Sequence, residues 1–289
     1  WFFWAVHHYL KLTRDARFVR RRLLETLRDI LDYYAQGTQY HIIMDENGLI
    51  TTSGETLPLT WMDARSGGLP LAHRPGRAVE VNALWYNALM TMAQLETSPK
   101  LKSQCVRLSR LVKRNFTRLF WNSQGHGLYD VVDQQPDESV RPNQLFAVGL
   151  PYPLLTGQKA KAVMEGVTRR LLTPVGLRSL SPGHSAYVGR LKGERHPKTA
   201  LHFRGAAHPW LLGVYWDAYF AAYRRTKKSR AVFRQFLGPF YPRLKEAAWG
   251  TLPEAFEGDS PHKPHGAVAS TRSVTEILRL IYEAESTDL

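Results

Sequence analysis

Between residues 79 and 95 the side chains Val81, Leu84, Trp85, Ala88, Leu89, Met92 and Leu95 recur with the period of an α-helix. Glu80, Asn87, Thr91 and Gln94 lie on another face of the same helix. An apolar stripe of this length has to be covered, and what the chain offers to cover it is mostly more helix. The same periodicity runs through residues 1–12, 16–36, 99–121, 143–150, 158–172, 208–226, 229–248 and 267–284. Asp15 is placed to cap the second of these. In the last, Val274, Ile277, Leu278 and Ile281 supply the stripe. The stretch TQYHIIMDENGLITTSG departs from the pattern: it alternates around Glu46, Asn47 and Gly48, which predicts a hairpin.

Between the helices run long segments rich in Gly, Pro, His and Trp, at 53–78, 122–142, 173–207 and 249–266. Loops of this length inside a folded unit are usually functional or disordered, and the aromatic content here favours function. Paired helices with elaborate loops on one face describe an α/α toroid whose loops form a central funnel. The 289 residues suit one such domain, without internal repeat or low-complexity tract.

Composition excludes several alternatives. With 44% hydrophobic and 22% charged residues the chain is not of the disordered class. No apolar run reaches the ~18 residues that a membrane span needs. The opening WFFWAVHHYL is broken by His7 and His8 and followed by Lys11 and Arg14, so it reads as an amphipathic helix rather than a secretory signal. It begins at Trp1 without a lead-in, and the expectation is a domain truncated at its N-terminus. The single cysteine, Cys105, leaves no internal disulfide and favours a reducing, cytoplasmic setting. The net charge of +14 is dispersed. Its densest runs, Arg20–Arg22 and Arg224–Lys228, fall on amphipathic helices as solvated faces, so neither a nucleic acid nor a membrane is expected as partner.

Cleaving a glycosidic bond needs two carboxyl groups, one to protonate the leaving oxygen and one to activate water or attack the sugar. Asp63, in LTWMDARSGG, follows Trp61 and precedes Gly67 and Gly68. Taken alone, an Asp in such a place is more often a cap or turn residue than a catalytic one. LPEAFEGDSPHKPHG brings Glu254, Glu257 and Asp259 together just before the last helix, either as a solvated loop or as a site. Residue pattern alone does not pair Asp63 with any of them. Serine-nucleophile, phosphate-loop and dinucleotide motifs are missing from the sequence. No H-E-x-x-H occurs, and His262 and His265 flank Lys263 and Pro264, which prevents helical display, so neither a metal nor a cofactor is expected. Cys105 lacks an electropositive loop context for a nucleophile. Trp210, Tyr215, Trp216 and Tyr219 read as core.

In order along the chain stand LTWMDA, VEVNALWYNAL, LYDVVD, RPNQLFAVGLP, GLRSLSPGHSAYVGR and LPEAFEGDSPHKPHGAVAS. This series resembles the successive signatures of the C-terminal amylo-α-1,6-glucosidase domain of glycogen debranching enzymes, over nearly the whole chain. The resemblance implies an all-α, six-hairpin (α/α)6 toroid, here without its first helices. It implies inverting hydrolysis of α-1,6-linked glucose in glycogen or a branched α-glucan, with no cofactor. Asp63 would be the general acid and Glu254 the base. The choice of Glu254 over Glu257 and Asp259 rests on the Glu-aromatic-acid pattern of related hydrolases, here Glu254, Ala255, Phe256 and Glu257. Trp61, Glu80, Asn82, Trp85 and Tyr86 would line the glucose pocket, supported by Arg141, Asn143 and Gln144. The chain departs from the family in two places. Leu201 to His208 replaces Tyr-His-Gln-Gly-Thr-Val-Trp, and Ser270, Thr271 and Arg272 replace Gln-Ala-Trp. The alternative these departures carry is a glycan-binding relic of the same fold with weak or no catalysis.

Overall fold

The computed structural model describes residues 1–53, 57–125, 127–191, 200–243 and 250–286. Helices α1 (Phe2–Thr13), α2 (Ala16–Arg22) and α3 (Leu24–Gln36) open the chain. The sequence predicts a single helix over 16–36. The structure breaks it at Leu23, where φ −122° and ψ −17° leave helical geometry. Asp15 caps α2 by accepting the Phe18 N–H at 2.8 Å. The Arg20–Arg22 run falls in the last turn of α2, where positive charge complements the helix dipole.

Helix α4 (Val79–Leu95) has the predicted bounds, and α5 (Pro99–Phe120) begins on a Ser98 cap with proline at its first position. The expected 143–150 helix is a 3₁₀ turn over Pro142–Leu145 that runs into α6 (Phe146–Gly149). Then follow α7 (Gly157–Leu171), α8 (Ala200–Arg204), α9 (Leu211–Tyr223), α10 (Lys227–Leu237), α11 (Phe240–Arg243) and α12 (Thr271–Glu285). The helix expected over 208–226 is shorter because His208 lies in a strand and Arg224 takes φ +64°. Of the helix expected over 229–248, residues 244–248 lie outside the described residues.

Two classes of helix make the layers. Helices α4 and α9 are buried on nearly every side. Helices α5, α7, α10 and α12 bury one face each. A helix buried all round must be sheathed by others: α4 packs against α1 and α5, and α9 against α6, α7 and α12. This helical double layer with a few small sheets is consistent with a toroid-like arrangement. It also changes the reading of α4, since Glu80, Asn87 and Thr91, on the face opposite the predicted stripe, are buried too.

The polar groups of α4 are buried because they hold other segments. The predicted hairpin pairs Ile43–Met44 with Ile50–Thr51, and Gly48 takes φ +77° in its turn. Asn82 Oδ1 accepts the Ile50 N–H at 2.7 Å, and its Nδ2 donates to the carbonyls of Ile50 and Ala78. Trp85 Nε1 donates to the Gly48 carbonyl at 3.0 Å. These bonds clamp the hairpin to the helix.

The all-α expectation misses a five-stranded antiparallel sheet built from the long loops, in the order 264–265, 255–256, 207–208, 176–178, 172–173. Each strand has two or three residues, too few for a period-2 pattern to register in the sequence. Gly67 and Gly68, both at positive φ, form the tight turn between strands 65–66 and 69–70. Among the described residues no helix is long and apolar enough to cross a membrane.

Replacing Asn82 with alanine strands the buried backbone groups of Ile50. The expected cost is about 1–3 kcal/mol of unfolding free energy, read from the urea midpoint. An unchanged midpoint would show that the hairpin docks by apolar contact alone.

Candidate active site

Met62 is fully buried and packs with Ala72 and Phe203, so the residue after it, Asp63, is turned outward. Glu254 sits next to the strand 255–256, and its backbone N–H donates to the Ala267 carbonyl at 2.9 Å. Although Glu254 follows Asp63 by 191 positions, both line one cavity of about 440 Å³. Trp61, His202, His208, Trp210, His265 and Arg272 contribute to the same wall. Of the three neighbouring acids, Glu254 alone belongs to this wall. Glu257 is buried, with Oε1 accepting the Leu191 N–H, and Asp259 accepts the Tyr187 hydroxyl proton at 2.8 Å.

The Glu254 carboxylate is engaged on both oxygens. Oε2 accepts the Ala267 N–H at 3.2 Å. Oε1 lies 3.6 Å from His202 Nε2 and 3.6 Å from Arg272 Nη2. Gly266, at φ +78°, gives the carboxylate room, because a Cβ there would stand 2.7 Å from Oε2. The Arg272 guanidinium also lies over the Trp210 ring, 5.8 Å from its centroid. Trp210 in turn meets Trp61 edge-on at 5.1 Å.

Behind this wall lies a buried ion network. Arg74 donates from Nη2 to Glu80 Oε2 at 2.7 Å and from Nε to Asp130 Oδ2 at 2.6 Å. Asp130 Oδ1 accepts from Asn143 Nδ2 at 2.8 Å, and Asn143 Oδ1 accepts from Trp61 Nε1 at 2.8 Å. Arg141 donates from Nη1 to the carbonyls of Ser179 and Phe203, with its Nε 3.6 Å from Asp130. Two cations and two anions thus balance in the interior, and the network ends on Trp61 and Phe203, two residues of the cavity wall.

The expected glucose-pocket residues therefore divide. Trp61 lines the cavity, while Glu80, Arg141 and Asn143 support it from behind. Asn82 and Trp85 hold the hairpin, and Trp85 and Glu80 border a groove of about 600 Å³ between α1, α3 and α4 that shares Trp61 with the cavity. Tyr86 is buried, with the Lys113 ammonium 5.9 Å from its ring. Gln144 accepts the Leu128 N–H at 3.3 Å. Asn82, Trp85, Tyr86 and Gln144 do not line the cavity that holds Asp63 and Glu254. The residues not singled out individually as site residues, His202, Phe203, His208, Trp210, His265 and Arg272, do. For His202, Phe203, His208 and Arg272 the signal was the departure from the family pattern at 201–208 and 270–272; Trp210, which reads as core in the sequence, is buried and also lines the cavity. Among the described residues no group of three or more metal-ligating side chains converges.

Burial pushes the His208 ring down to about 3, with smaller contributions from its cationic neighbours, so the ring is neutral. Its Nε2 meets the His202 carbonyl at 2.8 Å, and since a carbonyl only accepts, the proton sits on Nε2. The unfolded chain binds a proton at His208 near the ordinary value of about 6.5, whereas the folded chain does not. Stability is therefore lost as pH falls below about 6.5. A His208→Gln variant keeps a donor for the His202 carbonyl but no titration. Its urea midpoint should fall less than that of the wild type between about pH 7 and pH 5; parallel curves would rule out this source of acid sensitivity.

Replacing Arg74 with methionine leaves Glu80 without its cation and Asp130 with Arg141 alone, 3.6 Å away. The expected loss is about 3–5 kcal/mol, measured by denaturant unfolding. A loss below about 1 kcal/mol would mean that the two carboxylates find another partner or water.

A family profile described as Amylo-alpha-1,6-glucosidase matches residues 1–279. Among solved structures, one described as a sialidase superposes with a TM-score of 0.66 at 11% identity, covering 92% of this chain and 24% of that chain. The chain thus spans about a quarter of that structure's length, and the likeness is one of fold. The profile covers nearly all of the chain and includes both carboxylates of the cavity, and on that match the chain belongs to the amylo-alpha-1,6-glucosidase family, glycoside hydrolases of the glycogen-debranching type.

Proposed function

We propose that this chain hydrolyses α-1,6-linked glucose at the branch points of glycogen or a related α-glucan, by inversion. In this reading its helices form most of an (α/α)6 toroid and its cavity is the glucose site. The observation that carries the reading is the convergence of Asp63 and Glu254 on one cavity from segments far apart in sequence. Asp63, exposed at the cavity, donates its proton to the glycosidic oxygen. Glu254, held by the Ala267 N–H, takes a proton from the water that attacks the anomeric carbon from the opposite side. Inversion asks for ~6.5–9.5 Å between the two carboxyl groups, with the water between them. Trp61, fixed by Asn143, offers the cavity an aromatic wall for the sugar ring. Setting the reaction in the cytoplasm fits the buried, unpaired Cys105.

The test is glucose release from a phosphorylase limit dextrin. Asp63→Asn and Glu254→Gln should each lower the rate about a hundredfold or more while leaving the fold intact by circular dichroism. Full activity in either variant would remove that residue from the chemistry.

A second reading is favoured by Arg272 and His202, which both face Glu254 Oε1, the oxygen that must reach water. If that contact stays closed, the cavity binds oligosaccharide without turning it over. Calorimetric binding of a branched maltooligosaccharide together with no glucose release from the wild type would select this reading over the first.

A further inference from the structure

We propose that His202 carries the proton that Glu254 takes from water, restoring the pair of carboxyl groups after each cleavage. This rests on the hydrolytic reading above and assigns to that site a third participant.

The argument starts from what inversion leaves behind. The water oxygen bonds to the anomeric carbon and the glycosidic C–O bond breaks. The leaving oxygen keeps the proton of Asp63, and the water's proton goes to Glu254. One water has been added across one bond, but the acid is now a carboxylate and the base a carboxylic acid. A proton must pass from Glu254 to Asp63 before the next cycle.

The geometry narrows its route. Glu254 Oε2 accepts the Ala267 N–H, and Oε1 is the oxygen turned to the charged groups of the cavity wall. Among the described residues, Arg272 and His202 stand 3.6 Å from Oε1. Arg272 cannot accept a proton, because a guanidinium is donor-only. His202 Nε2, 3.6 Å away, can. The ring is held in place by its neighbours: Phe203 at 4.8 Å and His208 edge-on at 4.7 Å, with the His202 carbonyl tied to His208 Nε2.

The charges around His202 fit a group that accepts a proton and gives it up again. Burial lowers its proton affinity below the ordinary imidazole value; the Glu254 carboxylate raises it, His265 and Arg272 lower it, and Asp63 raises it when ionised, as it is once it has given up its proton. The ring thus stands beside Glu254 and on the same cavity wall as Asp63, the two groups between which the proton must move. Transfer from Glu254 Oε1 to His202 Nε2 creates an imidazolium beside a fresh carboxylate. Release through the water of the cavity to Asp63 completes the cycle, with no oxidant or co-reactant.

Two measurements test this. Glucose release from a limit dextrin by His202→Gln should show kcat lowered about tenfold or more with KM within about twofold. In His202→Gly, added imidazole should restore part of kcat. A purely structural role would move KM or stability and would not respond to imidazole. Separately, NMR titration of His202 in the substrate-free protein should show its proton affinity falling in Glu254→Gln. Wild-type kcat in His202→Gln, absence of imidazole rescue, or a His202 titration indifferent to Glu254→Gln would each overturn the proposal and leave the hydrolytic reading standing. If the wild type releases no glucose, the hydrolytic reading falls and the proton route falls with it.

Discussion

The buried pairing of Arg74 with Glu80 and Asp130 is the constraint on which the cavity depends. Burying a guanidinium and two carboxylates is costly unless geometry and further hydrogen bonds compensate each charge. Here the three come from different places: Arg74 from the loop after the first hairpin, Glu80 from the first turn of α4 and Asp130 from the loop after α5. Their contact therefore fixes two long loops to an inner helix. Glu80 also sits where the N-terminal end of α4 favours negative charge. From Asp130 the constraint passes through Asn143 to the indole of Trp61, next but one to Asp63 in the chain. The position of the candidate acid is thus set by charges that never touch the cavity.

The other carboxylate is set differently. Glu254 is placed by backbone: the strand beside it joins a sheet that also carries His208 and His265, and its side chain meets a main-chain N–H. The close approach of Gly266 makes this possible. An acid held by side-chain charges and one held by a sheet can be repositioned independently, so a family can change the surroundings of one without losing the other.

How much of this was legible in the sequence follows from periodicity. Helix α4 was readable to the residue because its stripe repeats over several turns, whereas the break at Leu23 left no trace because apolar periodicity continues across it. The five-stranded sheet was invisible because its strands span two or three residues each. The apparent amphipathicity of α4 was misleading: Glu80, Asn82 and Asn87 are polar because they hold neighbouring loops and backbone, not because they meet water. For the site, the two carboxylates came from motif resemblance, and residue pattern alone gave no reason to pair them. Asn82, Trp85 and Tyr86 were expected to line the glucose pocket, and Gln144 to support it, because they stand in the most recognisable motifs. The structure gives those residues fold-holding contacts or buries them instead. A motif can be conspicuous for holding a site together without facing it.

The cavity's departures from the family pattern act as a set. Arg272 stands in the first turn of α12, where the helix dipole disfavours a cation. What offsets this is local: Glu254 at 3.6 Å and the face of Trp210. His202 meets the same Glu254 oxygen and is ringed by Phe203, His208 and His265, all from segments at or next to the altered stretches. A larger polar or aromatic residue at 272 would have to share this space with those rings. A change at 201–208 would leave Arg272 with a different neighbour across Glu254. The two altered segments, some seventy residues apart, are therefore tied through one carboxylate, and what surrounds Glu254 in this chain has to be read as a unit rather than residue by residue.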